Sequence, residues 1–312
     1  MKRHSLIEAF LIAAALSLSL NLSGAIVQPA SAATHDVEMP PGKNFHRAAF
    51  RLWLPEDVDT LRAVLVLVPG SNGDGRDQVE TRLWQQLAAR HGLGLVGVYL
   101  TDKQHADMFI ERYIEVSEGS GQALVDALTR LGEMAGHPEL TSAPLLLWGM
   151  SAGGEFNYEF ALWKPGRVIG FVVNKGGIYY SALASEEARG VPGLFFIGEN
   201  DLVFRNDIIL GIYSINRRAR ALWALVEEPD VAHEVARSRE MAALFYEELI
   251  ALRLPATPAL RVLKLSDGFI CDPTSNRCAA ATDTPERRYP TAWLPTERLA
   301  RAWRAVTMGT PF

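Results

Sequence analysis

The sequence is poor in cysteine and in clustered charge. Only 2 of its 312 residues are Cys, charged residues make up 21% and the formal net charge is -5. No block of Lys and Arg stands out, so a nucleic-acid partner is not expected. Internal repeats and long low-complexity tracts are also lacking. Hydrophobic residues reach 48%, so the chain can bury a large core, and its length fits one α/β domain with insertions.

The N-terminal segment has the three parts of a secretory signal peptide. A basic start precedes an apolar stretch from Leu6 to Leu22, and small residues at 30–33 supply a cleavage site. An uncleaved membrane anchor is the alternative, and Glu8 together with the small-residue site argues against it. We therefore expect residues 1–33 to be a signal peptide. The mature protein is then secreted or periplasmic, with no stable membrane insertion.

The two cysteines fit an oxidising compartment. Cys271 and Cys278 bracket a turn-rich stretch, which predicts a local disulfide between them. No His or further Cys lies near them, so no metal site is predicted there. They belong to an extension, residues 255–312, in which Pro and Trp are scattered. We expect this extension to pack on the main domain, with Trp293 and Trp303 as packing groups.

Apolar runs alternate with amphipathic segments through the main domain, residues 34–254. Residues 35–43 are expected to be a tail and 45–55 an edge strand. Buried strands are predicted at 61–68, 93–100, 145–148, 168–173, 191–197 and 221–226. Helices are predicted at 78–90, 119–134, 155–163, 207–220, 234–252 and 296–306. This alternation predicts an α/β fold with a mostly parallel central sheet and helices on both faces.

One predicted strand ends in a Gly-x-Ser-x-Gly pattern. Gly149, Ser151 and Gly153 follow the apolar run 145–148 and precede the predicted helix 155–163. A strand, a sharp turn and a helix with a serine at the apex form the context of a nucleophile elbow, where glycines let the backbone turn tightly. The alternative is a Gly-rich turn in which Ser151 is the helix N-cap.

A serine nucleophile needs a base, and the base needs an orienting carboxylate. After an elbow of this kind the two follow in the order acid, then His. Asp201 directly follows the strand at 191–197, and His233 lies in the loop after the next strand. The competing candidates are Glu199 and Asp207 for the acid and His105 for the base. Because catalytic groups lie at the carboxyl ends of parallel strands, we predict Ser151, Asp201 and His233 as the triad.

Acyl transfer also needs two donors for the oxyanion. One is the N–H of the residue after the nucleophile, Ala152, and the other comes from a Gly-rich loop after an early strand. The loop that begins at Pro69 fits, and within it we favour the N–H of Ser71 over that of Asn72. Ordinary turn chemistry is the alternative. Weaker candidates for substrate contact, which could equally be solvated loop residues, are Asn72, Thr101, Asp102, Lys175, Gly176 and Tyr179.

These motifs together resemble the α/β-hydrolase family over residues 45–254. The resemblance rests on the elbow around Ser151, the loop after Pro69, the turn that ends at Asp201, and His233. Within the family the chain is similar to secreted esterases of the polyhydroxybutyrate-depolymerase and feruloyl-esterase kinds and to dienelactone-hydrolase-like proteins. The last group uses Cys at the position of Ser151, and Pro69 stands where the family usually has His. The resemblance implies an α/β-hydrolase fold with no metal and no organic cofactor.

The sequence therefore predicts a secreted serine hydrolase that cleaves carboxylic esters through an acyl-enzyme, with residues 34–254 as the catalytic domain. A serine peptidase or amidase on the same fold is one alternative, and a non-catalytic secreted binding protein is the other. The interval between Asp201 and His233 leaves no room for a separate lid domain. An open cleft and a small-molecule or polymeric ester substrate are expected, while the particular ester and the oligomeric state are not predicted.

Overall fold

The computed structural model describes residues 33–56, 58–107, 110–254, 259–282 and 290–312. The predicted signal peptide, apart from Ala33, lies outside the described residues. Within the described ranges, no helix is both long and apolar enough to cross a membrane.

Apolar, β-branched runs in the sequence become the strands of an eight-stranded sheet. The strands are β1 Ala33–Met39, β2 Arg47–Leu54, β3 Ala63–Val68, β4 Leu93–Thr101, β5 Leu145–Met150, β6 Val168–Asn174, β7 Gly193–Gly198 and β8 Trp223–Glu228. Their spatial order is β1-β2-β4-β3-β5-β6-β7-β8. Strand β2 is antiparallel to both of its neighbours, β1 and β4. The other neighbouring pairs, along the spatial order β4-β3-β5-β6-β7-β8, are all parallel. This is the α/β-hydrolase fold. The predicted fold class is confirmed.

Helices cover both faces of the sheet, as buried parallel strands require. They are α1 Arg82–His91, α2 Ser120–Ala135, α3 Ala152–Trp163, α4 Glu186–Arg189, α5 Val203–Arg218, α6 Ser238–Arg253 and α7 Glu297–Thr307. The alternation of side chains along a strand divides the core into two layers. In β3, Val64, Val66 and Val68 pack in the layer that contains α2, α3 and α5. Leu65 and Leu67 pack in the layer that contains α1, α6 and α7.

The predicted tail at 35–43 is wrong for its first half, because Ala33–Met39 forms strand β1 at the edge of the sheet. This strand pairs antiparallel with β2 along its whole length. Ion pairs cross the two strands, with Arg51 3.0 Å from Asp36 and Arg47 3.0 Å from Glu38. The sequence did not predict this strand because its residues are polar and half-exposed. An edge strand carries charged side chains where a central strand carries apolar ones. Strand β2 is consequently an internal strand.

The C-terminal extension builds a second, three-stranded antiparallel sheet. Its strands are β9 Phe269–Asp272, β10 Arg277–Ala280 and β11 Ala292–Leu294, in the order β10-β9-β11. Cys271 and Cys278 lie opposite each other in β9 and β10 and form the predicted disulfide, which is confirmed. Trp293 and Trp303 are both buried in the core layer of α1, α6 and α7, as predicted for packing groups.

We predict that the disulfide stabilises the folded state by constraining a short loop in the unfolded chain. Replacing Cys271 and Cys278 together by Ser removes a link between residues 7 apart, which corresponds to about 2–3 kcal/mol of unfolding free energy. Urea unfolding of the double variant, compared with the parent, measures this loss. Reductant should lower the stability of the parent alone, and an equal response of both proteins would contradict the prediction.

Candidate active site

Ser151 lies at the turn between β5 and α3 in a backbone conformation that L residues rarely adopt. Its φ is 54° and its ψ is -127°, a strained combination that costs on the order of 1–3 kcal/mol. Its N–H donates to the Asn174 carbonyl at 2.8 Å, and its own carbonyl accepts from Gly154 at 2.8 Å. Ser151 occupies the N-cap position of α3, but its hydroxyl makes no capping hydrogen bond. The side chain is therefore held at the carboxyl edge of the sheet without a capping role.

The two glycines of the elbow are required by close backbone contacts. A Cβ on Gly149 would lie 2.3 Å from the carbonyl oxygen of Gly153, and a Cβ on Gly153 would lie 2.2 Å from that of Val68. No side chain fits in these spaces, so the elbow packs directly against the end of β3. This contact brings the loop after β3 to the nucleophile, with an added Cβ on Gly70 only 3.6 Å from Cβ of Ser151.

Asp201 and His233 form a pair at the ends of β7 and β8. Nδ1 of His233 lies 2.8 Å from Oδ2 of Asp201, a distance at which Nδ1–H donates to the carboxylate. The other oxygen, Oδ1, accepts the Leu202 N–H at 2.7 Å and Nη1 of Arg205 at 3.1 Å. Burial acts to raise the pKa of Asp201, but these hydrogen bonds from His233, Leu202 and Arg205 outweigh it and lower the pKa. The carboxylate thus stays ionised and orients the ring.

The loop that carries His233 is fixed by a buried ion pair between Lys175 and Glu228. Both side chains are buried, and Nζ of Lys175 contacts Oε2 of Glu228 while also donating to Oδ1 of Asn174 at 3.1 Å. Oε1 of Glu228 accepts the Arg237 N–H at 3.0 Å, which joins the two ends of the His233 loop. The sequence suggested Lys175 as a substrate contact. Its ammonium instead lies beneath the sheet edge, where burial denies it access to a substrate.

The structure brings Ser151 to the same edge as the Asp201–His233 pair, although no hydrogen bond joins Ser151 and His233 within the described residues. Backbone hydrogen bonds hold each of the two loops to the neighbouring strand end. Ser151 N–H donates to Asn174, and Asn200 N–H donates to Val231 at 2.9 Å, two residues before His233. In unliganded enzymes the hydrogen bond between nucleophile and base is often long and tightens only with substrate.

Two backbone N–H groups, one of the elbow and one of the loop after β3, have no acceptor of their own among the described residues. The N–H of Ala152 lies in the first turn of α3, where no intrahelical acceptor exists. The N–H of Ser71 has no acceptor within the part of the chain that the structure describes. By contrast, the N–H of Asn72 donates to the hydroxyl of Tyr113 at 3.2 Å. The geometry therefore favours Ser71 over Asn72, in the order that the sequence suggested.

The remaining candidates for substrate contact lie in three places. Thr101 ends β4 and pairs with Arg47 in the sheet, and Asn72 and Asp102 are joined by a hydrogen bond of 2.7 Å from the Asp102 N–H to Oδ1 of Asn72. Gly176 is buried. The Tyr179 hydroxyl is also buried, its ring packs edge-on against that of Tyr158 at 5.0 Å, and burial raises its pKa well above the usual value. This hydroxyl consequently does not face an open cleft.

Two carboxyl groups on α3 hold the loop after β6, and neither was singled out from the sequence. Oε1 of Glu155 accepts N–H groups from Gly177 and Ile178 at 2.5 and 3.0 Å, and Glu159 accepts from the next turn of the loop. Burial raises the pKa of Glu155 to about 8. Arg205 was missed as well, although its position four residues after Asp201 on a predicted helix is a recognisable signal.

No protein-family model and no curated protein matches the chain. Among solved structures it is similar to fluorophosphonate-binding serine hydrolase F of Staphylococcus aureus in a substrate-bound form, at 13% sequence identity and a TM-score of 0.48, over 70% of this chain and 98% of that one. It is also similar to an esterase of Pyrobaculum calidifontis, at 14% identity and a TM-score of 0.49, over 72% and 86% of the two chains. Likeness at this level says nothing of substrate or mechanism, which must come from the geometry of this chain.

We predict that Glu155 makes stability depend on pH. The folded state keeps a proton up to a pKa of about 8, whereas the unfolded chain releases it near 4.5. The contribution of protonated Glu155 to the free energy of unfolding is fully present below pH 4.5. It is lost as pH rises through the pKa of the folded state, and the free energy of unfolding falls by up to about 1.4 kcal/mol per pH unit. Glu155→Gln cannot ionise, so its stability relative to the parent should rise by about 3 kcal/mol between pH 5 and 7.5.

Urea unfolding at those two pH values measures the difference. The control is Glu133→Gln, which removes an exposed carboxyl on α2 and should show no such change. A relative stability of Glu155→Gln that is the same at both pH values would contradict the prediction.

Proposed function

We propose that the protein is a serine hydrolase that cleaves carboxylic esters through an acyl-enzyme, with Ser151 as nucleophile, His233 as base and Asp201 as its orienting acid. One observation carries this proposal. Ser151 has a strained backbone and makes no capping hydrogen bond, and it lies on the same sheet edge as His233, whose Nδ1 is 2.8 Å from Oδ2 of Asp201. A structural turn would not need such strain, whereas a nucleophile elbow does.

In the proposed reaction His233 takes the proton of the Ser151 hydroxyl as the oxygen attacks the ester carbonyl. The oxyanion is stabilised by the N–H groups of Ser71 and Ala152. Protonated His233, held by Asp201, gives the proton to the leaving alcohol, and the acyl group stays on Ser151. Water activated by His233 then releases the acid and restores the free serine.

A second His–Asp pair exists at the end of β4, but its carboxylate already has structural partners. Nε2 of His105 lies 2.9 Å from Oδ2 of Asp102. The same carboxylate accepts the N–H groups of Arg112 and Tyr113 at 2.8 and 3.1 Å. It thereby fixes the chain that follows β4. Both residues also precede Ser151 in the chain, whereas the acid and the base of an elbow serine follow it, so we keep His233 as the base.

We also propose that the protein acts outside the cytoplasm. The Cys271–Cys278 disulfide supports this location, because disulfides persist mainly in oxidising compartments. The signal peptide predicted for residues 1–33 would provide the export route.

We predict that Ser151→Ala lowers kcat on p-nitrophenyl acetate by roughly 10⁴-fold or more, because the nucleophile is lost. Asp201→Asn should lower kcat by a similar order, since the His233 tautomer is no longer held. The matched control is Ser266→Ala, an exposed serine in the extension, which should stay within two-fold of the parent. Full activity of Ser151→Ala would refute the mechanism. Faster cleavage of a peptide anilide than of the ester would favour an amidase.

A further inference from the structure

Asp201 is shared between two basic side chains, one on each oxygen of its carboxylate. Oδ2 lies 2.8 Å from Nδ1 of His233, and Oδ1 lies 3.1 Å from Nη1 of Arg205. The Asp201 side chain is only 1% exposed, so water hardly reaches it. The proposed reaction uses the contact with His233. The contact with Arg205 has no part in that reaction and therefore needs its own explanation.

Packing holds the Arg205 side chain in this position. Arg205 lies in the first turn of α5, four residues after Asp201. A Cβ added to Gly177 would lie 3.0 Å from Cγ of Arg205, so the aliphatic stem packs on the loop after β6. That loop is itself held by Glu155, whose Oε1 accepts the Gly177 N–H. The guanidinium carbon lies 5.5 Å from the centroid of the Phe204 ring. The guanidinium is therefore fixed beside Asp201.

The charge of Arg205 opposes protonation of His233. A guanidinium stays positively charged at every pH used in an assay. The Asp201 carboxylate attracts a protonated imidazole, whereas Arg205, on the other oxygen of the same carboxylate, repels it. The two effects act on one equilibrium, and Arg205 shifts it toward the neutral ring. The neutral ring is the form that can take a proton from Ser151.

The other charged side chains on the packed elements have partners of their own or are exposed. Lys175 pairs with Glu228, Oε2 of Glu199 accepts the Asp230 N–H at 3.0 Å, and Arg237 donates to the Thr310 carbonyl. All of these groups remain when Arg205 is replaced, so a change seen only in Arg205 variants reports Arg205 itself. They are Glu155 on α3, Lys175 after β6, Glu199 after β7, and Glu228, Asp230, Glu234 and Arg237 around the loop of His233.

We propose that Arg205 is a positioning residue that acts through Asp201 and extends the working range of the proposed base, His233, to lower pH. The inference rests on the proposed function. Because Arg205 acts on the equilibrium between neutral and protonated His233, it needs no contact with the substrate. Without its charge, Asp201 would hold the protonated ring more strongly. The hydroxyl of Ser151 would then lose its proton acceptor at a higher pH.

The acid limb of the pH profile of kcat/KM measures this effect, because it reports protonation of the base in the free enzyme. With p-nitrophenyl acetate, Arg205→Met should move the midpoint of this limb up by about half a pH unit or more, while KM on the plateau stays within about two-fold of the parent. Met keeps the unbranched stem that packs on Gly177. Arg205→Gln should move the midpoint in the same way. Arg205→Lys keeps the charge and should leave it within about 0.2 pH unit of the parent.

The matched control is Arg218→Met, which removes an exposed arginine from the same helix and should keep the midpoint of the parent. Three outcomes overturn the proposal. They are an unmoved acid limb in the Met and Gln variants of Arg205, an equal shift in Arg218→Met, and a shift in Arg205→Lys as large as that in Arg205→Met. Lower activity or lower thermal stability with an unmoved limb would make Arg205 a structural group. A higher KM with an unmoved limb would make it a substrate contact.

A measurement without catalysis keeps this proposal separate from the proposed function. In the Ser151→Ala protein, NMR follows the ring proton on Cε1 of His233 as the pH is varied. Adding Arg205→Met should raise the pH of half-protonation by about half a unit or more, and an equal midpoint in the two proteins would overturn the proposal. If the parent hydrolyses no ester at all, the proposed function fails, and this titration still decides whether Arg205 acts on His233 through Asp201.

Discussion

The structure depends on the contact between the elbow and the end of β3. Gly153 approaches the carbonyl oxygens of Val68 and Pro69 so closely that an added Cβ would lie 2.2 and 2.5 Å from them. Because α3 can begin so near the neighbouring strand, Ser151 is lifted out of the sheet with a positive φ. The same contact brings the loop after β3 to the elbow, with an added Cβ on Gly70 at 3.6 Å from Cβ of Ser151. Close backbone packing thus joins the elbow to the loop that contains Ser71.

The other half of the site is organised by buried charge. The Lys175–Glu228 pair ties the end of β6 to both ends of the loop that carries His233. Such a pair gives little net stability, because desolvation of both ions offsets their attraction. It does fix one arrangement, since either ion without its partner is costly in the core. The ends of β6 and β8 are therefore held together on either side of β7, whose end leads to Asp201.

The central part of the fold was predictable because its strands are buried on both faces. Largely apolar runs such as 61–68 and 145–148 are typical of central strands, and the motifs that follow them mark the carboxyl edge. Strand β1 was missed because an edge strand is polar. Strands β9 to β11 were missed because three or four residues show no measurable period. The helix ends shifted by a few residues, and α1 begins at Arg82 after a short 3-10 helix.

The site was predictable where chemistry imposes a local pattern and not where it depends on tertiary contacts. The elbow, the order of acid and base, and the Pro69 loop are local, and the structure brings Asp201 and His233 together as expected. Lys175 looked like a cleft residue because it follows a strand, but its partner Glu228 lies 53 residues away in the chain.

Covalent labelling is the most direct test of Ser151 as the nucleophile. The parent protein is treated with a fluorophosphonate, digested, and the modified peptide is sequenced by mass spectrometry. We expect a single adduct on the peptide that contains Ser151, with labelling slowed strongly in His233→Ala. An adduct on another serine, or no adduct in folded parent protein, would contradict it.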